Sequence, residues 1–205
     1  MKVRTEARRQ AIVEAAAELF QEMGYEGASM NELTKRLGGS KATLYGYFAS
    51  KEALFVAVIQ AYTTAHLSEA TRDLSVEIAG RAALEAALTR FGERMMQVLT
   101  NDAAAIAVYR MVVAEAGRSE IGQLFHQAGP NQSIEALAGL FAAAMRRGEI
   151  RRADAKVTAM QFLGLVTAEI NARLFLREPP PMTPAQIRQM VRRAVGMFFA
   201  GADPR

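Results

Sequence analysis

Between Ser40 and Lys51 the chain concentrates groups able to hold a polyanion. Ser40, Lys41, Thr43, Tyr45, Tyr47, Ser50 and Lys51 supply hydroxyls, phenols and ammonium groups. Such donors meet phosphate oxygens and the edges of bases. Lys41, Thr43 and Tyr45 belong on the exposed front of a short helix, with Leu44 and Phe48, four apart, turned to the core. Ser29 stands at an expected helix N-terminus, where its hydroxyl and the neighbouring backbone N–H groups suit a phosphate. Lys51 opens the next helix in the same way, and Arg4 and Arg8 are placed to reach a flanking backbone. Ser40 and Ser50 also read simply as helix caps, Tyr45 and Tyr47 as packing residues, and Lys41 and Lys51 as solvated charges.

Other chemistry finds little support. There is no cysteine, which excludes disulfides, thiolate metal sites and cysteine nucleophiles. The two histidines, His66 and His126, lack an acidic residue three or four positions before them. No HExxH, Gly-x-Ser-x-Gly or Walker-type glycine loop occurs. The chain is therefore expected not to be an enzyme and to need no cofactor or metal. Arg110 is the only charge between Ala103 and Ala114. It reads either as half of a structural buried pair or as an anchor for an anionic ligand.

Helices must position these groups. Alanine, leucine, methionine, glutamate and arginine dominate, strand-like alternation is nearly absent, and the fold class is all-α. The first helix is expected over residues 4–23, stopped by Gly24. Ser29 with Glu32 forms a capping box for a helix to Leu37, and Gly38-Gly39 makes a turn. Ser40 caps a helix through Phe48, and Ser50 caps a fourth. Two short helices about a glycine turn, packed on a third, make a helix-turn-helix. Further helices are expected at 81–100, 103–116 (apolar nearly all round, hence buried on every side), from Ser119 with an interruption at Gly129-Pro130, from Asp154 to about 177, and from Thr183 to about 200.

Residues 8–59, above all Ser40-Lys41-Ala42-Thr43-Leu44-Tyr45-Gly46-Tyr47-Phe48 followed by Ser50-Lys51-Glu52, resemble the DNA-binding domain of the TetR family of bacterial regulators. More weakly, residues 109–116 and the stretch from Leu124-Phe125 to Gly129-Pro130 resemble an AefR-like C-terminal domain. The resemblance implies DNA contacts by Arg4, Arg8, Ser29, Ser40, Lys41, Ala42, Thr43, Tyr45, Tyr47 and Lys51, with Tyr47 matching the family's phosphate-contacting aromatic. Gly39 departs from the pattern, since the family commonly has an apolar residue there to anchor the turn. Gly46 departs too, lying inside the recognition helix at a cost of about 1 kcal/mol in helix propensity.

Residues 1–52 are thus expected to form a helix-turn-helix DNA-binding domain and 53–205 a helical ligand-binding and dimerisation domain. Phe91, Met95, Tyr109, Arg110, Phe125, His126, Phe141 and Phe162 are expected around a small, mostly apolar effector. The apolar face of residues 187–199 is wide enough to pack on its own domain and still leave area for a homodimer through Ile187, Met190, Val191, Ala194 and Phe198, with Ala168 on the preceding helix. The family pairs its last two long helices in this way. Expected partners are double-stranded DNA carrying a palindromic operator, a small-molecule effector and a second copy, with repression released by the effector. Net charge is modest: +4 overall, with 8 Lys/Arg against 7 Asp/Glu in residues 1–52. Placement rather than bulk of charge must therefore make the surface. No apolar run approaches the roughly 18–20 residues of a membrane span, and a cytoplasmic protein is expected. The alternatives are a helical small-molecule-binding or protein-interaction module with a non-regulatory DNA head, and an architectural DNA binder.

Overall fold

The computed structural model describes residues 5–64, 71, 74 and 77–204. Among them every regular element is helical. The chain divides into two compact units, residues 1–64 with 107–129, and residues 65–106 with 130–205. The sequence boundary at residue 52 marks the end of the helix-turn-helix pattern. Compactness groups with that pattern the following helix and a segment from the middle of the chain.

In the first unit, α1 (Glu6–Gly27), α2 (Met30–Leu37), α3 (Lys41–Tyr47) and α4 (Lys51–Ile59) follow in quick succession. Each of the last three begins where a serine hydroxyl accepts an N–H three residues on: Ser29 from Glu32, Ser40 from Thr43 and Ser50 from Ala53, each at 3.1 Å. The Glu32 carboxylate turns to Lys35 at 3.3 Å. α1 bends at Gly24 (φ 70°, ψ 169°), and a short helical turn continues to Gly27. A π-helical turn, Gln60–Thr64, follows α4. α6 (Ala103–Glu115) contributes its residues from Ala107 onward, and α7 (Ile121–Ala128) packs on α4. Ile12, Leu19, Phe20, Leu33, Leu44 and Phe55 anchor the core. Phe20, Tyr25 and Phe55 meet ring to ring with centroids 5.1–5.6 Å apart.

α6 is not buried all round as its composition suggests. Val108, Met111 and Val112, at i, i+3 and i+4, face the core, whereas Val113 is 59% exposed and Ala114 is exposed. Alanine and single aliphatic residues are tolerated at surfaces, so composition overstated the buried face.

The second unit holds α5 (Arg81–Asn101), α8 (Pro130–Arg146), α9 (Ala155–Thr167) and α10 (Pro184–Ala202). α9 packs on α8 and α10, and α10 packs on α5. Asp154 caps α9, and Thr183 with Gln186 forms a full capping box on α10, with Pro184 in its first turn. α9 is shorter than expected. The Thr167 hydroxyl bonds back to the Leu163 carbonyl at 2.9 Å, a habit that weakens a helix at that turn. A 3-10 segment, Asn171–Phe175, follows, and the Arg173 side chain reaches the carbonyl of Pro180, in a proline run that cannot be helical.

The apolar face of α10 is used at home. Ile187, Met190, Val191, Ala194 and Phe198, expected against a second subunit, are all buried within this unit's own core; Ala168 alone of that set is exposed. The stripe is wide because α10 packs on both α5 and α9, each covering part of it. Phe91, Met95, Phe141 and Phe162 share that core, with Phe141 stacked on Phe198 at 5.0 Å and edge-on to Phe162 at 6.0 Å. All four are buried in that core, where Phe91 also meets Phe162 at 6.4 Å between ring centroids.

Candidate nucleic-acid interface

α3 is seven residues long and would be marginal alone. Leu44 and Phe48 fasten it to the core of the first unit, and this turns Lys41, Ala42, Thr43 and Tyr45 outward, all exposed. These four sequence-predicted residues share one surface. Ser40 sits at its edge, its hydroxyl 2.9 Å from that of Thr43 as well as capping the helix. Ser29 is exposed at the head of α2, with its hydroxyl committed to the Glu32 N–H.

Three predicted residues are tied into the fold. The half-buried Tyr47 accepts the Thr5 N–H on its phenol oxygen at 3.1 Å, which leaves the O–H proton to donate. Arg8 donates to the Leu37 carbonyl at 3.2 Å. Lys51 donates to the carbonyls of Tyr25 and Ala28 at 2.9 and 3.2 Å, and its nitrogen lies 4.2 Å from the centre of the Tyr25 ring. Two of its three donors are thereby used inside the chain. Arg4 lies outside the described residues. Arg9, missed in the sequence, has its guanidinium 5.2 Å from the Phe48 ring centre. No spacing rule reveals a pair 39 residues apart.

The electrostatics beneath this surface are internally balanced. Burial first, and then the Glu52 carboxylate, raise the Tyr25 phenol well above its ordinary range, so it stays neutral. The Ser50 hydroxyl holds Glu52 below the usual carboxylate range. Lys35 pairs with Glu32 and Arg36 with Glu22.

The residues expected around an effector are divided between the units. Tyr109 and Phe125 lie in the first with ring centroids 5.7 Å apart. Arg110 there is half-buried, and His126 is exposed on α7. Phe91, Met95, Phe141 and Phe162 lie in the core of the second. Two grooves of the second unit are lined by other residues. A groove of about 620 Å³ along α8 is lined by Leu74, Ile78, Ala136, Leu140 and Arg146 among others. Another of about 410 Å³ lies between Ile150, Gly164, Leu165 and Met197. Among the described residues, no group of three or more acidic or histidine side chains is placed to hold a metal.

Comparisons with known proteins fit this geometry. Residues 12–58 match the profile of bacterial regulatory proteins of the tetR family, and residues 86–201 match that of the AefR-like transcriptional repressor C-terminal domain. The HTH-type transcriptional activator FasR of Mycolicibacterium smegmatis is 38% identical over 88 residues, 43% of this chain and 40% of that protein. The chain thus matches less than half the length of that relative. The flavonoid-responsive regulator FrrA is 30% identical, with a TM-score of 0.76 over 98% of this chain and 100% of that one. A TetR-family regulator structure from Mesorhizobium loti is 26% identical, with a TM-score of 0.75 over 98% and 100%.

Proposed function

We propose that this chain, which belongs to the TetR family of bacterial regulatory proteins, is a homodimeric repressor that leaves a palindromic operator when a small, mostly apolar effector binds. One observation carries the DNA-binding reading. Lys41, Ala42, Thr43 and Tyr45 present one exposed face of a helix whose opposite face, Leu44 and Phe48, is locked into the core. That is the arrangement by which a recognition helix offers side chains to base edges in a major groove. The AefR-like repressor profile over the C-terminal half favours repression. The likeness to a flavonoid-responsive regulator over the whole chain favours a flat, largely apolar effector.

Dimerisation is assigned to the surface that α9 and α10 leave uncovered. Met160 and Gly164 on α9 and Met197 on α10 are exposed, as are Phe175 and Leu176 just beyond α9. Phe175 is 89% exposed. Gly164 and Met197 line one groove; large exposed apolar side chains mark interaction sites, and a twofold pairing uses the same patch on both copies.

Selection of bound DNA from a random pool tests the reading. The expected product is an inverted repeat whose half-sites lie about one helical turn, 34–36 Å, apart. It should be bound at least about 10³-fold more tightly than random DNA, and a flavonoid panel should contain a compound that releases it. A pool that stays random after selection overturns the regulatory reading and leaves the architectural one.

A further inference from the structure

The first turn of α1 meets the turn between α2 and α3 around a small gap lined by Arg8, Ile12, Leu37, Gly39, Thr43 and Leu44. About 10 Å³ of it is free, the threshold for a single water. Gly39 borders this gap, and its φ lies outside the left-handed region, so the backbone does not demand glycine there. A Cβ at position 39 would stand 3.4 Å from Nη2 of Arg8, at the edge of ordinary contact with a flexible group, so a branched side chain there would compete with the guanidinium for the same place. The same nitrogen donates to the Leu37 carbonyl. That carbonyl belongs to the last turn of α2, where no intrahelical donor remains. The Gly38 and Gly39 N–H groups serve Lys35 and Thr34, and Arg8 serves Leu37 from 29 residues away.

We propose that Arg8 is a positioning residue for the recognition helix, its guanidinium lying over Gly39 where a residue with a side chain would otherwise fill the turn. This rests on the DNA-binding reading of α3. The planar, forked head suits the place: one nitrogen lies beside the site of a Gly39 side chain and also reaches the Leu37 carbonyl, with further donors in a fixed plane that a compact ammonium lacks. Neighbouring contacts act in the same sense at the far end of α3, where Thr5 N–H meets the Tyr47 phenol oxygen and Arg9 lies by Phe48. The first turn of α1 therefore meets the turn before the recognition helix through Arg8 and the end of that helix through Thr5 and Arg9. Arg8 then acts on DNA through the orientation of α3 and not as a phosphate-bound cation.

A cycle of Arg8→Ala, Gly39→Val and the double variant tests this, with Arg8→Lys as a milder change. Amide hydrogen exchange at Gly39 and Leu44 reads the turn directly, and affinity for the selected DNA site at several salt concentrations reads its effect. Each single change should lower protection and weaken binding about tenfold with the salt slope unchanged. The double variant should recover most of both, because the introduced valine side chain fills the space that the arginine leaves. Arg8→Lys should lose protection although it keeps the charge. Independent, multiplying losses in the double variant overturn the proposal. So does a salt slope flattened by about 0.9 in Arg8→Ala, the sign of one lost phosphate contact, or full protection and affinity in Arg8→Lys. Should the wild type select no DNA site, the DNA reading falls, while the exchange cycle still decides whether Arg8 and Gly39 are coupled.

Discussion

Two side chains, Lys51 and Glu149, show how a charge at a helix terminus is put to use. The Lys51 ammonium holds the carbonyls of Tyr25, in the last turn of α1, and of Ala28, which leads to Ser29 and α2. Removing it as Lys51→Ala leaves two carbonyls without that donor and should cost about 1.5–3 kcal/mol in urea unfolding, the scale of hydrogen bonds to charged groups. With one donor left to point outward, the salt slope of DNA binding should flatten by at most about 0.9. Its place at the head of α4 was legible from Ser50-Lys51-Glu52, but its partners, 26 and 23 residues earlier, were not, because nothing local encodes that fold-back. Glu149 accepts from Arg147 Nε at 2.6 Å and from the Gly80 N–H at 2.7 Å. Arg147 first, with the Gly80 amide adding to it, holds the carboxylate below its ordinary range against the opposing effect of burial. A carboxylate lowered on folding lends stability that is fully present above about pH 5 and is lost as pH falls through the lowered value. Glu149→Gln should therefore unfold more easily at pH 7, by about 1 kcal/mol, with the gap to wild type closing in acid. Thermal melts from pH 7 to pH 3 measure this, and a constant gap would contradict it.

At the scale of elements, helix starts were the legible part. Ser29, Ser40, Ser50, Asp154 and Thr183 all cap as their positions indicate, because a cap is a hydrogen bond across three residues and is written locally. Helix ends and faces depended on the rest of the chain. Residues 168–175 carry good helix formers, yet Thr167 back-bonding and the Arg173 contact to the proline run take them into a 3-10 turn. Gly24 is intermediate. Its role as a stop was readable, and the structure adds that Glu115, at the end of α6, places a carboxylate oxygen 3.0 Å from where a Cβ would stand. The conformation φ 70°, ψ 169° is one that only glycine adopts readily. Gly24→Ala should thus destabilise by about 1–3 kcal/mol. Pairing it with Glu115→Ala should recover the steric part alone, so the backbone part persists in the double variant. Chemical denaturation of the three proteins separates the two contributions.

For the whole molecule, the wide apolar face of α10 was read as packing on its own unit with area left for a second copy, and the residues named for that copy are the ones its own unit buries. Periodicity reports which residues avoid water but not whether the cover comes from the same chain or from another copy. Burial separates the two groups: Phe198 is in contact with Phe141, Phe162 and Phe199, whereas its neighbour Met197 is 65% exposed. Phe198→Glu would place a charge in a closed core and also remove an aromatic ring from it. The loss should exceed the roughly 3–5 kcal/mol of a simple truncation of a large aromatic, and the protein should fail to fold, not fold as a monomer. Met197→Glu leaves the core intact. On a twofold interface it sets two carboxylates into the same contact, one from each copy, so a single substitution acts twice. The expected product is a folded monomer with wild-type helicity in circular dichroism. It should retain weak, salt-sensitive binding to DNA but lose the preference for the inverted repeat, since half-site spacing is read only by two linked recognition helices. Light scattering at micromolar concentration, followed by titration with the full site and with a half-site, gives the comparison. A Met197→Glu protein that remains dimeric would place the subunit contact away from α9 and α10, whatever the wild type binds.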